Sequence, residues 1–277
     1  MKLGFCTSAY PGRPLVEVFD KLADAGYEAV EPFTWEGHPC HPDSFVQAEA
    51  RTIRAQAAER GLELSAVSAH TTWVGSGLST EQALRFTCRS AEIAADLGVR
   101  FLNTSTGPYP PACDRFEAWD ALRRAFLRAA GHAEGLGITL CLEPHVGHIC
   151  LTWESTLRLL REVGSPALRL NFDASHYFIL GLDHRVALDQ LKGYLVHAHL
   201  KDFILNRPPL GDLRQDKGNV RAVALGEGDF PLQDHLQHLR SIGYDGVVSA
   251  EFYISEPDEA MQRSAQNVLP MLRSLAS

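Results

Sequence analysis

Eight short β-type runs, at residues 2–7, 27–31, 62–70, 99–104, 138–143, 167–173, 194–199 and 247–251, alternate with longer helical stretches along the whole 277-residue chain. Such alternation makes successive strands parallel, since each helix carries the chain back over the sheet, and eight repeats close a (β/α)8 TIM barrel. The helical stretches mark their own ends: EVFDKLADAGY, SAEIAADLGV, HAEGLGI and LQHLRSIGYDG each reach a glycine just before the next strand, where a left-handed residue releases the backbone. A doubly wound open sheet is the competing arrangement. It needs a glycine-rich phosphate loop after the first strand, and TSAYPGRP is not one. The length suits one α/β barrel with a large core, and no low-complexity linker divides the chain, so residues 1–277 read as a single barrel domain.

Four of the runs, ITLCLE, LRLNFD, YLVHAH and VVSAE, end on Glu143, Asp173, His199 and Glu251. With the two-residue side-chain period of a strand, each terminal residue shares a face with every second residue before it. That groups Glu143 with Cys141 and Thr139, Asp173 with Asn171, His199 with His197, and Glu251 with Ser249. The opposite face is apolar in all four, as expected where helices cover the outside of a parallel sheet. Strands five to eight are contiguous around one side of a barrel, so the four polar ends converge at its C-terminal mouth. Three carboxylates and an imidazole form a mostly hard-oxygen set that favours one Mn2+ or Mg2+ ion, with Zn2+ or Co2+ admitted by the histidine. Singly, each residue has an ordinary reading: Glu143 before Pro144 begins a loop, Asp173 caps a helix, His199 is a satisfied core histidine, Glu251 pairs with an arginine. Four matching strand ends outweigh four separate coincidences.

The 26 basic and 34 acidic residues give a net charge of −8, which leaves no broad cationic surface for a polyanion, so nucleic acid is a disfavoured partner. Six cysteines (Cys6, Cys40, Cys88, Cys113, Cys141, Cys150) show no CxxC spacing and suit a reducing compartment. The opening MKLGFCTSAYPG reads as a strand and a turn, too short in apolar run for a signal peptide or membrane helix. The expectation is a cytoplasmic enzyme with no membrane partner.

The motifs LEPH (142–145), NFDASH (171–176), VHAHLKD (196–202), GEGDF (226–230) and SAEF (249–252), in this order, resemble the xylose isomerase-like TIM barrel superfamily, especially its sugar phosphate isomerase/epimerase branch. The likeness spans nearly the whole chain, with its specific motifs in the second half. It implies Glu143, Asp173, His199 and Glu251 as metal ligands, His176 as a substrate-contacting histidine beside the metal, and Glu143 and Glu251 as the catalytic pair. The chemistry so implied is isomerisation or epimerisation of a small sugar substrate, a ketose or polyol-derived ketone. A divalent ion chelating a ketone oxygen and the adjacent hydroxyl acidifies the C–H between them, and a carboxylate on each side of the enediolate plane removes and returns the proton. The same branch holds dehydratases of the keto-inositol and dehydroshikimate type, which enolise with the same ligands and then expel a β-hydroxyl; an epimerase conserves mass where these lose a water. The superfamily's apurinic-site endonucleases need further histidines at the end of strand four and after strand seven, where this chain has Asn103 and a histidine-free stretch, 203–229. A barrel that binds metal and sugar without turnover is the reading of another class; it gives no reason for two opposed glutamates.

Further candidate substrate contacts are His70, ending strand three, Glu31, ending strand two, Lys201, which shares the parity of His199, and Arg207 in the long connection. Their ordinary counterparts are a structural histidine, a buried acid, an ion-paired lysine and a solvated arginine. His145 and His148 flank Glu143 with no pattern to orient them. Two connections are long: 106–114, rich in proline, and 203–229, whose length at a barrel's active face suits a lid as well as a solvated excursion. Specificity is expected from loops 33–44, 72–78, 106–114 and 203–225. No glycine-rich nest or paired cationic clamp marks a phosphate site. Phe178, Ile179 and Leu180 suit either a subunit contact in a homo-oligomer or local packing.

Overall fold

The structure, a computed structural model, describes residues 1–74, 79–209 and 219–275. In chain order its strands are β1 (Lys2–Cys6), β2 (Ala29–Glu31), β3 (Glu63–Leu64), β4 (Val67–Ser68), β5 (Phe101–Ser105), β6 (Thr139–Glu143), β7 (Leu168–Asp173), β8 (Leu195–Leu200), β9 (Asp202–Leu205), β10 (Val220–Val223) and β11 (Val247–Ala250). Its α-helices are α1 (Leu15–Ala25), α2 (Ala50–Glu59), α3 (Thr80–Asp96), α4 (Arg115–Gly135), α5 (Trp153–Val163), α6 (Ser175–Phe178), α7 (His184–Leu191), α8 (Leu232–Ser241) and α9 (Pro257–Ser274). The glycines singled out by the sequence do what the pattern requires: Gly26, Gly98, Gly137 and Gly243 take φ of 88°, 68°, 72° and 84° just past α1, α3, α4 and α8. Helix starts are set by side chains that accept from free backbone N–H groups. Asp114, Thr152 and Asp183 cap α4, α5 and α7, and Ser79 forms a capping box with Gln82 on α3.

Nine parallel strands run in the order β3-β2-β1-β11-β8-β7-β6-β5-β4. The two ends of that order, β3 and β4, follow each other in the chain, so the sheet is a nearly closed barrel ringed by helices. The one clear departure from the expected strands lies here. Residues 62–70 do not form one strand: β3 pairs with β2, through Ala29↔Glu63 and Val30↔Leu64, and β4 with β5, through Val67↔Leu102 and Ser68↔Asn103, while Ser68 also bridges Phe33 just past β2. The strand breaks where it changes partner, and Thr34 N–H donates to Ser68 C=O (3.0 Å) across the seam.

In a parallel ladder, paired residues share a face, so the register fixes what points inward. Cys6↔Glu31, Ser68↔Asn103, Ser105↔Glu143, Asp173↔His199 and Ser249↔His199 are such pairs, and all of these residues are buried. Outward positions of the same strands, among them Leu140, Leu142, Leu170, Phe172, Ala198, Leu200 and Val248, are buried beneath the helices. One irregularity matters to the site. Leu170 pairs with Leu195 but Asn171 with His197, so Val196 is a bulge on β8 that brings His197 level with Asn171 and His199 level with Asp173.

The connection 203–229 is an antiparallel hairpin over its described part, with Val220↔Leu205 and Val223↔Asp202 paired; residues 210–218 lie outside the described set. Phe203, Leu205 and Val220 of the hairpin pack on Val146, Leu151, Ile179 and Leu180. Ile179 and Leu180 are therefore covered within the chain. The GEGDF turn that follows is fastened by Asp202, whose carboxylate accepts from the N–H groups of Gly226 (2.9 Å), Gly228 (2.9 Å) and Phe230 (3.2 Å). A Cβ at Gly228 would collide with that carboxylate, so only glycine fits there.

Beneath α8 lies a wholly buried histidine, His235, among Phe172, Phe230 and His184 at ring separations of 6.2, 5.6 and 5.4 Å. Neither ring nitrogen has a hydrogen-bond partner among the described residues, and burial, followed by neighbouring His184, holds its pKa well below the ordinary value. The unfolded chain takes up this proton near pH 6.5 and the folded chain does not, so the stability involved is present above pH 6.5 and lost as pH falls. Between pH 7 and pH 5 His235→Phe should lose about 2 kcal/mol less stability than the parent chain in denaturant unfolding. Equal losses would show that His235 titrates normally in the fold.

Candidate active site

The strand ends at the C-terminal mouth bring a compact polar group together. His199 Nδ1 lies 3.0 Å from Glu251 Oε2 and 3.3 Å from Glu143 Oε2, and His70 Nε2 lies 3.3 Å from the same Glu143 oxygen. Lys201 stands on the other side: its Nζ is 2.5 Å from Glu251 Oε2, 2.7 Å from Asp173 Oδ2 and 3.5 Å from Glu143 Oε1. His176 Nε2 is 3.2 Å from Glu143 Oε1. One ligand atom from each of His70, Glu143, His199 and Glu251 lies within 4.8 Å of all the others, and Asp173 forms a similar set with Glu143 and His176. Asp173 is thus placed differently from the other three expected ligands. Its Oδ1 accepts from Ser175 N–H (2.9 Å) and Ser175 O–H (2.6 Å), and its Oδ2 accepts from the Lys201 ammonium.

Glu31 lies deeper than its expected place at the substrate. It is fully buried and absent from the described residues that line the cavity. Its Oε1 accepts from the Asn103 amide (2.6 Å); His197 Nε2 lies 2.9 Å from Oε2, and His199 Nε2 lies 3.1 Å from both oxygens. One side of the His199 ring therefore faces Glu31, and the other faces Glu143 and Glu251.

Electrostatics follow from this packing. Burial opposes ionisation of Glu143, but Lys201, then His199 and His70, outweigh it and hold the carboxyl well below the usual range. The same contest, decided by Lys201 and His199, lowers Glu251 to about 2. Glu31 is held down against burial by His199 and His197. For His199 burial favours the neutral ring, yet Glu31, Glu143 and Glu251 together raise its pKa well above the ordinary value; Asp173 and the two glutamates do the same for Lys201. Four carboxylates, Glu31, Glu143, Asp173 and Glu251, are at most 3% exposed around a single lysine. Asn171 Oδ1, beside Glu143, has no hydrogen-bond partner among the described residues. That surplus of buried negative charge, in oxygen and imidazole donors, is what a divalent cation requires. The donor set fits the metal expected from the sequence.

Above these residues opens a cavity of about 970 Å³ whose inner wall includes His70, Ser105, His145, Lys201 and Glu251. His145 and His148, which the sequence left without direction, both line it, stacked at 4.2 Å, and His145 lies 3.8 Å from the His176 ring. Burial pushes both below the ordinary histidine range, His148 to about 3. Arg207 is exposed on the hairpin, its backbone C=O and N–H bonded to the Asn219 side chain (2.9 and 2.8 Å), and is not among the described cavity residues. Part of the expected specificity loops, residues 75–78 and 210–218, lies outside the described set. Sequence reasoning missed Asn103 as the anchor of Glu31 and Ser105 as a cavity residue. Both share the inward parity of β5, which was the available signal.

Comparison with known proteins places the chain. A family model described as "Xylose isomerase-like TIM barrel" matches residues 19–274, and the chain belongs to that family. It is 29% identical over 143 residues to an inosose dehydratase of Geobacillus thermodenitrificans, covering 49% of this chain and 48% of that one. It is also 22% identical over 273 residues to the fructoselysine 3-epimerase of Escherichia coli O157:H7, covering 93% of both. Among solved structures, an IOLI protein with a bound zinc atom superposes with a TM-score of 0.80 at 19% identity, covering 99% of each chain. These relatives include enzymes of the epimerase and dehydratase types, and no described helix is long and apolar enough to cross a membrane.

Proposed function

We propose that this protein is a divalent-metal-dependent isomerase or epimerase of a ketose or polyol-derived ketone, with Glu143 and Glu251 as its proton-transfer pair. One observation carries the reading: two buried glutamates, held ionised, flank the same face of His199 at 3.3 and 3.0 Å. Two ionised carboxylates beside one substrate would let one remove a proton from a planar intermediate and the other return it on the opposite side. Glu143, Asp173, His199 and Glu251 would hold the metal, Mn2+ or Mg2+ by donor hardness, Zn2+ or Co2+ by the histidine. Asp173 is included because its carboxylate forms a possible ligand set with Glu143 and His176, their atoms within 4.8 Å of one another. When bound, the ion supplies Lewis acidity at a ketone oxygen and the neighbouring hydroxyl. Glu31 is a positioning residue: by accepting at Nε2 it turns the Nδ1 lone pair of His199 toward the carboxylates. His70 and His145, on the cavity wall, and His176 behind them orient substrate hydroxyls.

A specific feature favours dehydration as the second reading. Lys201 stays protonated at 2.5 Å from Glu251 and could donate to a departing hydroxide. The relation to an inosose dehydratase supports it over half the chain. Incubating ketoses and keto-inositols with the Mg2+- or Mn2+-loaded protein in D2O, followed by mass spectrometry, tests both. Deuterium uptake without loss of water is the expected result, water loss indicates the dehydratase, and no α-proton exchange with any ketone overturns enolisation altogether.

A further inference from the structure

The turn after Glu143 carries two imidazoles that the proton-transfer pair does not use. Its backbone is closed on itself, with His145 N–H donating to Cys150 C=O (3.1 Å) and His148 N–H to His145 C=O (3.0 Å). It is also tied to the loop after β5, where Ile149 N–H donates to Gly107 C=O (2.9 Å) and Cys150 N–H to Thr106 Oγ1 (3.1 Å). Gly107 completes the join: at φ 68° it lies so near Thr72 that a Cβ there would collide, and its N–H donates to His148 Nδ1 (3.2 Å). Rings on a backbone fastened at so many points are held in one orientation. They stack outward from the strand ends: His176, with Nε2 3.2 Å from Glu143, then His145 at 3.8 Å between ring centres, then His148 at a further 4.2 Å.

The same backbone bonds fix which nitrogen of each ring bears hydrogen. A peptide N–H only donates, so His148 Nδ1 accepts and the ring proton sits on Nε2. A peptide carbonyl only accepts, so His145, whose Nδ1 is 2.8 Å from Val146 C=O, carries its proton there and presents a lone pair at Nε2. Neither Nε2 has a hydrogen-bond partner among the described residues, and both rings line the cavity. One donor and one acceptor thus stand on adjacent rings inclined by only 26°. A hydroxyl both donates and accepts, so two neighbouring hydroxyls satisfy the pair; a carboxylate or a fully ionised phosphate offers acceptors alone and meets the His145 lone pair. His148 cannot take a second proton to attract such an anion without losing its bond from Gly107. We infer that His148 and His145 are specificity-determining residues that read two adjacent hydroxyls on substrate carbons beyond the reacting centre, His148 donating to one and His145 accepting from the other. This rests on the ketone chemistry proposed for the strand ends, and the probe that tests it carries no ketone, so the two can fail apart.

Long-range 1H–15N NMR of the Mg2+-loaded protein reads each ring directly. His148 should appear as the Nε2–H tautomer and His145 as the Nδ1–H tautomer; the opposite form at either ring overturns the roles. cis-Cyclohexane-1,2-diol and its monomethyl ether should both shift the two Nε2 resonances saturably, because an ether oxygen still accepts from His148. The dimethyl ether has nothing to donate to His145, so it should need about three- to tenfold more ligand for the same response, the effect of one neutral hydrogen bond. Inorganic phosphate should shift neither ring. His145→Phe keeps the stack and removes the acceptor, and should erase the difference between diol and dimethyl ether at His148, with circular dichroism reporting an unchanged fold. Equal responses to the diol and its dimethyl ether in the parent protein, a response to phosphate at lower concentration, or no response at either ring overturns the pair. A diol response in the expected pattern while no ketone exchanges its α-proton in D2O leaves the pair standing and removes the isomerase reading.

Discussion

Glu251→Gln should lose turnover by about 10²–10⁴-fold, the range carried by a positioned acid or base, with little change in thermal unfolding. The substitution keeps the shape of the side chain and removes only its charge and basicity. Glu251 is a candidate for the role because its carboxyl, lowered by Lys201 and His199, is ionised throughout the neutral range, and because it faces the cavity beside Lys201. Its partner Glu143 is ionised by the same neighbours, Lys201 and His199, but contacts His70 and His176 as well, so Glu143→Gln should cost more metal affinity than Glu251→Gln in addition to rate. Deuterium exchange separates the two: a Glu251→Gln protein that retains metal and has lost α-proton exchange fits the assignment. A Glu251→Gln protein with parental exchange rates would sink it.

The second large effect is expected from a residue that never touches substrate. Glu31→Gln should weaken Mn2+ or Zn2+ binding by about 10–100-fold, as measured by competition with a chelating dye. An amide in place of this carboxylate can present an N–H to His199 Nε2, which moves the ring proton to Nδ1, the atom that faces Glu143 and Glu251. A proton there repels the cation that the lone pair would bind. Glu31→Asp, which keeps the acceptor, should recover part of the affinity. Unchanged metal affinity in Glu31→Gln would mean that Asn103, His197 and Glu31 form only a packed polar floor.

Much of this arrangement was legible in the chain, for a geometric reason. A strand alternates faces whatever its neighbours do, so the inward parity of Glu143, His199 and Glu251 could be read from each run alone, and the glycine-terminated helices supplied the barrel. What parity does not encode is depth. Strands in a barrel are tilted and staggered, so residues that end neighbouring strands lie at different heights. Glu31 ends β2 as Glu143 ends β6, yet it sits below His199 rather than at the cavity. Nor does a strand announce where it changes partner, which split residues 62–70, or where a bulge such as Val196 will slide one register past another. Asp173 shows a third limit. Its strand position is inward, but which cation it faces depends on Lys201, a residue just past β8 brought alongside only by folding.

The split third strand sets where this barrel can breathe. Each half is held by a two-residue ladder, with one further bridge from Ser68 to Phe33, whereas β5 and β6 share five paired positions. Local opening is cheapest where backbone pairing is sparsest, and here that place adjoins the wall carrying His70 and, through its carbonyl, Trp35. Yielding on that side would widen the entrance while β6, β8 and β11 keep Glu143, His199 and Glu251 in register.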